Sequence, residues 1–276
     1  MSSSTTIIKK SKATPMMVQY LENKEKYKDC LLFFRMGDFY ELFYEDAIKA
    51  APTLEVTLTK RGKSEGQDIP MCGVPHHSVD FYIQKLIKHG YKIAICDQME
   101  SPEEAKKRGY NAIVKREVTR VITQGTLTED NLLEGKVANY LASIVVKKDD
   151  VAIAYAELST LDFFILPSSL NNLAADLARI NPSELLLADD LIIKKEIKQA
   201  LVDFKSKTVT FPEHFFNSQK CIRRIKDNFS LHSTESLGDC SKAQISSAGA
   251  LLDYLCITQK KEKVTLFIFY LFLYLC

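Results

Sequence analysis

The chain lacks the short signatures of several common catalytic centres. It has no G-x-x-x-x-G-K-[ST] loop, no G-x-S-x-G turn, no H-E-x-x-H pair and no C-x-x-C. These absences exclude a P-loop cradle for nucleotide phosphates, the serine nucleophile elbow, the zinc-protease helix and dithiol redox chemistry. An excess of one charge sign is also missing. The 37 Lys+Arg stand against 35 Asp+Glu, a net charge of +2 that names no partner by itself. The opening MSSSTTIIKKSKATP has no apolar stretch of the kind a signal peptide needs, so export is not expected. Cysteine is present but unorganised. Cys30, Cys72, Cys96, Cys221, Cys240, Cys256 and Cys276 are odd in number and scattered, with no His at ligand spacing, which points to reduced thiols in a cytosol and no metal site.

What the sequence does contain is ordinary globular material. Its 276 residues predict two domains, and 46% hydrophobic with 26% charged residues excludes disordered, collagen-like and disulfide-scaffold classes. Charge is uneven along the chain: 20 basic against 16 acidic residues up to position 125, a net of +4, and 17 against 19 after it, a net of −2. A DNA-binding surface, if present, therefore belongs in the first half.

Thr14-Pro15 supplies an N-cap with Pro at the first helical position, and Met17, Tyr20 and Leu21 give a helical stripe, predicting a helix from about 15 to 28. Leu31–Met36 reads as a buried strand closed by Gly37-Asp38, followed by Phe39–Tyr44 and a helical stretch to about Pro52. Leu54, Val56 and Leu58 alternate with polar residues as a half-buried strand would, ahead of a polar loop over Lys60–Asp68 and a short strand over Ile69–Val74. Ser78 is placed to cap a helix carrying Val79, Tyr82, Ile83, Leu86 and Ile87, with Gly90 at its C-cap. Strands near 91–99 and 114–122 complete a small mixed α/β domain over 1–122. A linker over 123–136 follows. Three antiparallel strand runs (Tyr140–Val146, Val151–Leu158, Asp162–Leu166) then precede alternating helices and strands, with a final helix over 240–258. That order is ribonuclease H-like, and the second domain is expected over 137–261.

Three segments carry candidate chemistry. Phe39-Tyr40-Glu41 follows a glycine turn, where aromatic residues are ordinarily core; an exposed ring beside a carboxylate could instead stack on a base while the acid bonds its edge. Glu41 has its own bland alternative, a solvated acid near a helix start. Lys60, Arg61 and Lys63 form a basic loop, either a solvated face or a phosphate contact. His76 and His77 are adjacent, would point apart on a strand and have no acid or Cys at ligand spacing, so they are expected as loop residues beside the Phe39 segment and without zinc.

Thr14-Pro15-Met16-Met17, Arg35-Met36-Gly37-Asp38-Phe39-Tyr40-Glu41-Leu42-Phe43, Leu58-Thr59-Lys60-Arg61-Gly62, Ile69-Pro70-Met71-Cys72-Gly73-Val74-Pro75 and Ala248-Gly249-Ala250-Leu251-Leu252-Asp253-Tyr254-Leu255 together resemble the bacterial MutS family of DNA mismatch-recognition proteins. The resemblance covers about 250 residues, the family's mismatch-binding and connector domains. It implies that Phe39 enters the minor groove at a mispair and stacks on a base, that Glu41 hydrogen-bonds that base, and that the duplex kinks. It further implies DNA-backbone contacts at Lys60, Arg61, Met71 and Pro75. Its implied partners are duplex DNA with mispairs or small loops, MutL docking on the connector, and a second copy in the full-length family, with a bacterial cytoplasmic, nucleoid-associated location and no membrane. ATP and Mg²⁺ belong to parts of the family not seen here, so this chain is expected to be neither an ATPase nor cofactor-bearing. The alternative is a ribonuclease H-like nuclease with an N-terminal DNA-binding domain. Such enzymes need clustered carboxylates, and Glu157, with no acids at matching strand ends, is expected to face the surface or a turn.

Two departures stand out. The Ser159-Thr160-Leu161-Asp162 turn has Leu where the family usually has Gly. From Val264 the chain reads VTLFIFYLFLYLC without charge, Gly or Pro, too short to span a bilayer and without strand or helix alternation. Residues 262–276 are therefore expected to be an out-of-frame apolar tail from a truncated gene. Their removal is expected to raise solubility.

Overall fold

The computed structural model describes residues 14–64, 66–109, 111–128, 138–233 and 238–270. The chain divides into two compact units, Met1–Val121 and Ile122–Cys276. The first contains α1 (Pro15–Lys26), β1 (Cys30–Met36), β2 (Phe39–Phe43), α2 (Tyr44–Leu54), β3 (Thr59–Ser64), β4 (Gln67–Pro75), a 3₁₀ turn His76–Ser78, α3 (Val79–Lys88), β5 (Lys92–Gln98), α4 (Pro102–Lys107) and β6, which runs from Arg116 to Ile122. Its mixed sheet has the order β3-β4-β2-β1-β5-β6, with β1 antiparallel to β2 and parallel to β5.

The apolar run of β1 is buried on both faces, as a central strand requires. Leu32 and Phe34 pack with Met17 and Tyr20 of α1, while Leu31 and Phe33 turn to the opposite face. The buried Asp46 of α2 accepts from Leu32 N at 3.0 Å and Tyr20 Oη at 3.3 Å and pairs with Lys24 Nζ at 2.9 Å, tying both helices to that strand. Burial, followed by the Asp46 charge, raises the Tyr20 pKa well above its ordinary value.

Three local expectations fail here. First, Leu54, Val56 and Leu58 are not a strand, because α2 continues through Pro52 and stops at Glu55 in the left-handed region (φ 57°). The strand lies one step later, in the segment read as a polar loop. β3 is an edge held by its ladder to β4, so burial imposes no apolar alternation on it. Second, Ser78 stands at the N-cap position of α3 but its side chain does not cap the helix; its hydroxyl donates to Pro75 O, and His76 and His77 lie in the 3₁₀ turn before it, off the strand as expected. Third, α4 is a short helix that periodicity missed. Its capping box, Ser101 with Glu104, and its Pro102 were nonetheless legible.

The second unit begins with a 3₁₀ turn (Gln124–Thr126) and continues through β7 (Tyr140–Lys147), β8 (Asp150–Glu157), β9 (Asp162–Ser168), α5 (Leu173–Ile180), β10 (Glu184–Ala188), α6 (Lys195–Ala200), β11 (Thr208–Phe211), α7 (Ser218–Phe229), α8 (Lys242–Gln259) and β12 (Phe267–Tyr270). The sheet order is β11-β10-β7-β8-β9-β12. β7, β8 and β9 pair antiparallel, and β10 and β11 add in parallel beside β7, the ribonuclease H-like arrangement. Between β10 and β11 the chain forms α6 and a separate 3₁₀ turn, Val202–Lys207. α7 crosses α8 at Gly249, where a Cβ would come within 2.3 Å of Cys221 Cβ.

The start of the expected linker is built into this unit. Thr123 and Thr126 are buried, and the buried Glu184 accepts from Thr123 Oγ1 at 2.5 Å, Gly125 N at 3.1 Å and Tyr254 Oη at 2.7 Å. Residues 129–136 of that linker lie outside the described residues.

The tail departs furthest from expectation. The second unit does not stop at Lys261. Val264 and Leu266 are buried, Val264 exchanges two hydrogen bonds with the side chain of Asn228, and Phe267–Tyr270 adds in parallel to β9. The described strand is short, lies at a sheet edge and follows the buried Val264 and Leu266. Residues 271–276 of the expected tail lie outside the described residues.

Candidate nucleic-acid interface

The β1–β2 hairpin turns at Gly37, whose φ of +62° is the left-handed conformation that glycine adopts without strain. This turn sets the phase of β2. Side chains alternate along a strand, so Phe39 and Glu41 share one face about 7 Å apart and Tyr40 occupies the other. Phe39 is 48% exposed while Tyr40 is buried. The ring expected to reach outward therefore does so, and its neighbour is core.

Tyr40 anchors the strand from behind. Its hydroxyl donates to Asp97 Oδ1 at 2.5 Å, and Thr119 Oγ1 donates to Asp97 Oδ2 at 2.6 Å. Phe33 and His76 flank its ring, and the Arg35 guanidinium lies 5.4 Å from the ring centroid. Burial, then the Asp97 carboxylate, raises the Tyr40 pKa far above its usual value. Nothing in the sequence announced Asp97, which reaches Tyr40 only because β5 lies beside β1.

On the outer face Glu41 meets Arg61 from β3, whose Nη1 lies 2.6 Å from Oε1 and 2.5 Å from Oε2. Gly73 sits across from Glu41 in the β2–β4 ladder; a Cβ there would touch Glu41 Cγ at 3.6 Å and Phe39 Cδ1 at 4.0 Å. A side chain there would pack against both Phe39 and Glu41. Pro75 pairs with Phe39 and Met71 with Phe43, so both residues expected to contact the DNA backbone stand on the strand beside β2, Pro75 opposite Phe39 and Met71 four pairs further along.

Beneath them lies a cation that sequence reading missed. Arg116 is buried, its guanidinium 5.1 Å from the Phe34 centroid, and it donates to the carbonyls of Arg35 at 2.6 Å and Val114 at 2.9 Å. Burial lowers its pKa, while the nearby Glu41 counters that shift.

The basic residues are not equivalent. Lys60 pairs with Asp68 at 2.7 Å on the exposed hairpin, and that hydrogen bond raises its pKa. Arg61 is committed to Glu41. A register shift between Lys60 and Lys63 separates these side chains along the edge.

In the second unit, Glu157 is buried and faces the turn after β8, the second of the two expected placements, and not the surface. It accepts from Asn139 N at 3.3 Å and Ser159 Oγ at 3.0 Å, which occupies the one carboxylate considered for nuclease chemistry. Among the described residues no group of three or more His, Cys, Asp and Glu side chains could hold a metal ion. Among the same residues no helix is long and apolar enough to cross a membrane.

A mixed sheet that presents an exposed Phe and a paired carboxylate at a hairpin end, with a ribonuclease H-like unit after it, defines a two-domain α/β protein. The family comparisons agree with that class. The family model described as MutS domain I matches residues 14–131 and that of MutS domain II matches 139–267, and the chain belongs to the MutS family. It is 51% identical over 251 residues to the DNA mismatch repair protein MutS of Wolbachia pipientis wMel, covering 91% of this chain and 30% of that protein. Its identity to the protein of the same name from Ruegeria pomeroyi is 47% over 247 residues, covering 90% of this chain and 28% of the relative. For that of Orientia tsutsugamushi strain Boryong it is 44% over 252 residues, covering 91% and 28%. The chain thus spans about 30% of the length of the curated relatives it matches.

Proposed function

We propose that this chain performs the damage-reading step of DNA mismatch repair: it binds duplexes containing mispairs or small loops by inserting Phe39 into the minor groove. The observation that carries the reading is the 48% exposure of Phe39 at a hairpin end whose next residue is core. A rigid strand with an uncovered ring suits a wedge. Inserting it unstacks a base step and kinks the duplex, which costs a few kcal/mol in paired DNA and less where pairing is already defective.

Glu41 faces the same base edge, and its charge near phosphates disfavours intact duplex. Lys60 lies along the same hairpin as a phosphate contact that gives affinity without sequence preference, once it exchanges Asp68 for the backbone. Met71 and Pro75 form the wall beside the wedge. Arg61 reaches a phosphate only by leaving Glu41.

Membership of the MutS family supports three further assignments. The second unit is the connector on which MutL docks, the full-length protein pairs with a second copy, and the work takes place with the nucleoid in the bacterial cytoplasm. The sequence contains no phosphate-cradling loop, so we assign this chain recognition and connection, with no cofactor and no ATP turnover of its own.

Competition binding between mismatched and paired duplexes tests the reading. Phe39→Ala is expected to abolish the preference for the mismatch, a loss of roughly 1–3 kcal/mol from base–aromatic stacking, with the thermal transition unchanged. Equal discrimination by variant and parent would remove Phe39 from the interface, and a lost thermal transition would make it core.

A further inference from the structure

We propose that Arg61 is a positioning residue for Glu41 and not a phosphate anchor: it holds the carboxylate beside Phe39, and its effect on mismatch selection passes through Glu41. This rests on the reading of Phe39 and Glu41 as the mismatch-contacting pair.

Two observations carry it. Arg61 Nη1 contacts both carboxylate oxygens, at 2.6 and 2.5 Å, across the face that bears Phe39. The Glu41 side chain is only 13% exposed, whereas that of Arg61 is 42% exposed, so the acid needs the partner more than the base does. A carboxylate withdrawn that far from water loses hydration, and its remaining charged partner fixes its orientation.

The surroundings leave little else to do this work. Gly73, across the β2–β4 ladder, has no side chain to restrain Glu41. Arg116 lies on the same side of the sheet, but it is buried and its donors go to the Arg35 and Val114 carbonyls and to Gln19 Oε1. Lys60 is held by Asp68. Moving Arg61 to a phosphate would leave Glu41 without its cation beside the DNA backbone, and like-charge repulsion would then push the carboxylate off the base edge. Keeping the pair intact has the opposite result. It neutralises the edge as the duplex approaches and leaves the carboxylate in a single orientation when Phe39 inserts.

A double-mutant cycle on the 276-residue chain decides between the two roles. Binding to a duplex with one mispair and to its paired counterpart is measured for the parent, Arg61→Met, Glu41→Gln and the double variant over a range of salt concentrations, with Arg61→Gln repeating the cycle should the Met variant unfold. The expected result is that Arg61→Met lowers the mismatch-to-paired ratio about tenfold or more in the parent, as losing a charged hydrogen-bond partner does, and less than about twofold in the Glu41→Gln background. Two results would overturn it: an equal loss in both backgrounds with a salt slope shallower by about 0.9, the mark of a phosphate contact, or no loss in either. The Glu41 carboxyl carbon resonance of the free protein adds a check without DNA, since it must move when Arg61 becomes Met, and an unmoved resonance also overturns the proposal. Phe39→Ala, run alongside, separates the two ideas. If it erases discrimination while the cycle is additive, the positioning role alone falls; if the parent itself shows no discrimination, the recognition reading falls with it.

Discussion

Phe39, Tyr40 and Glu41 are consecutive, yet the first is uncovered, the second is core and the third is ion-paired. A two-residue turn does this by fixing the strand's phase; a one-residue slip would bury Phe39 and expose Tyr40. At the same scale, Leu161 stands where the β8–β9 turn demands φ +65°, a conformation that costs a branched, non-glycine residue of order 1 kcal/mol. Leu161→Gly is expected to stabilise the protein by a few tenths to about 1 kcal/mol, the gain reduced by the greater freedom of glycine in the unfolded chain. Chemical denaturation at constant m checks it, and a lower midpoint would mean that the partly buried Leu161 side chain contributes more than its backbone costs.

At the scale of elements, the strand that least resembled one has the clearest consequence. β12 covers the outer edge of β9, Phe267 N donates to Leu161 O at 2.7 Å, and the two buried side chains just before it seal the end of the sheet under α7. Burying one such side chain is worth roughly 1.5–3 kcal/mol. Ending the chain after Lys263 is therefore expected to lower stability by about 3 kcal/mol or more and to promote aggregation through the uncovered β9 edge. That is the reverse of what the apolar composition suggested. A truncated protein as stable and soluble as the parent in thermal and light-scattering measurements would return the segment to the status of a dispensable tail. The β3–β4 hairpin makes the complementary point. Its polar strand exists because β4 offers a ladder, and it brings Arg61 across to Glu41, twenty positions earlier in the chain.

At the scale of the whole molecule, the buried cysteines among the described residues behave as packing residues. Burial pushes the Cys30 and Cys72 thiols up to about 11 and those of Cys96 and Cys221 up to about 12, from an ordinary value of 9.0. At pH 8 these four have almost no thiolate in the native protein and are expected to resist a disulfide-exchange reagent until denaturant is added, whereas modification of any of them in the native state would contradict the packing. The same shifts set a direction with pH. Above about pH 9 the unfolded chain loses these protons while the native chain keeps them until pH 11–12, so the folded state binds more protons and its stability falls as pH rises through that window.

The sequence by itself determined the family, the two α/β units, the order of the connector strands and the identity of the outward ring. Those properties rest on local patterns: a glycine turn, period-two runs, capped helices and short motifs that survive without knowledge of what lies beside them. Tertiary structure alone decided which cation serves Glu41, that Asp97 and Thr119 hold Tyr40 from behind, that Glu157 is buried, and that the apolar segment after Lys263 begins as a covered sheet edge. Each of these depends on a partner far away in sequence. Their side chains carry no periodic signal of their own, since an edge strand or a buried polar pair is defined by what the chain brings against it.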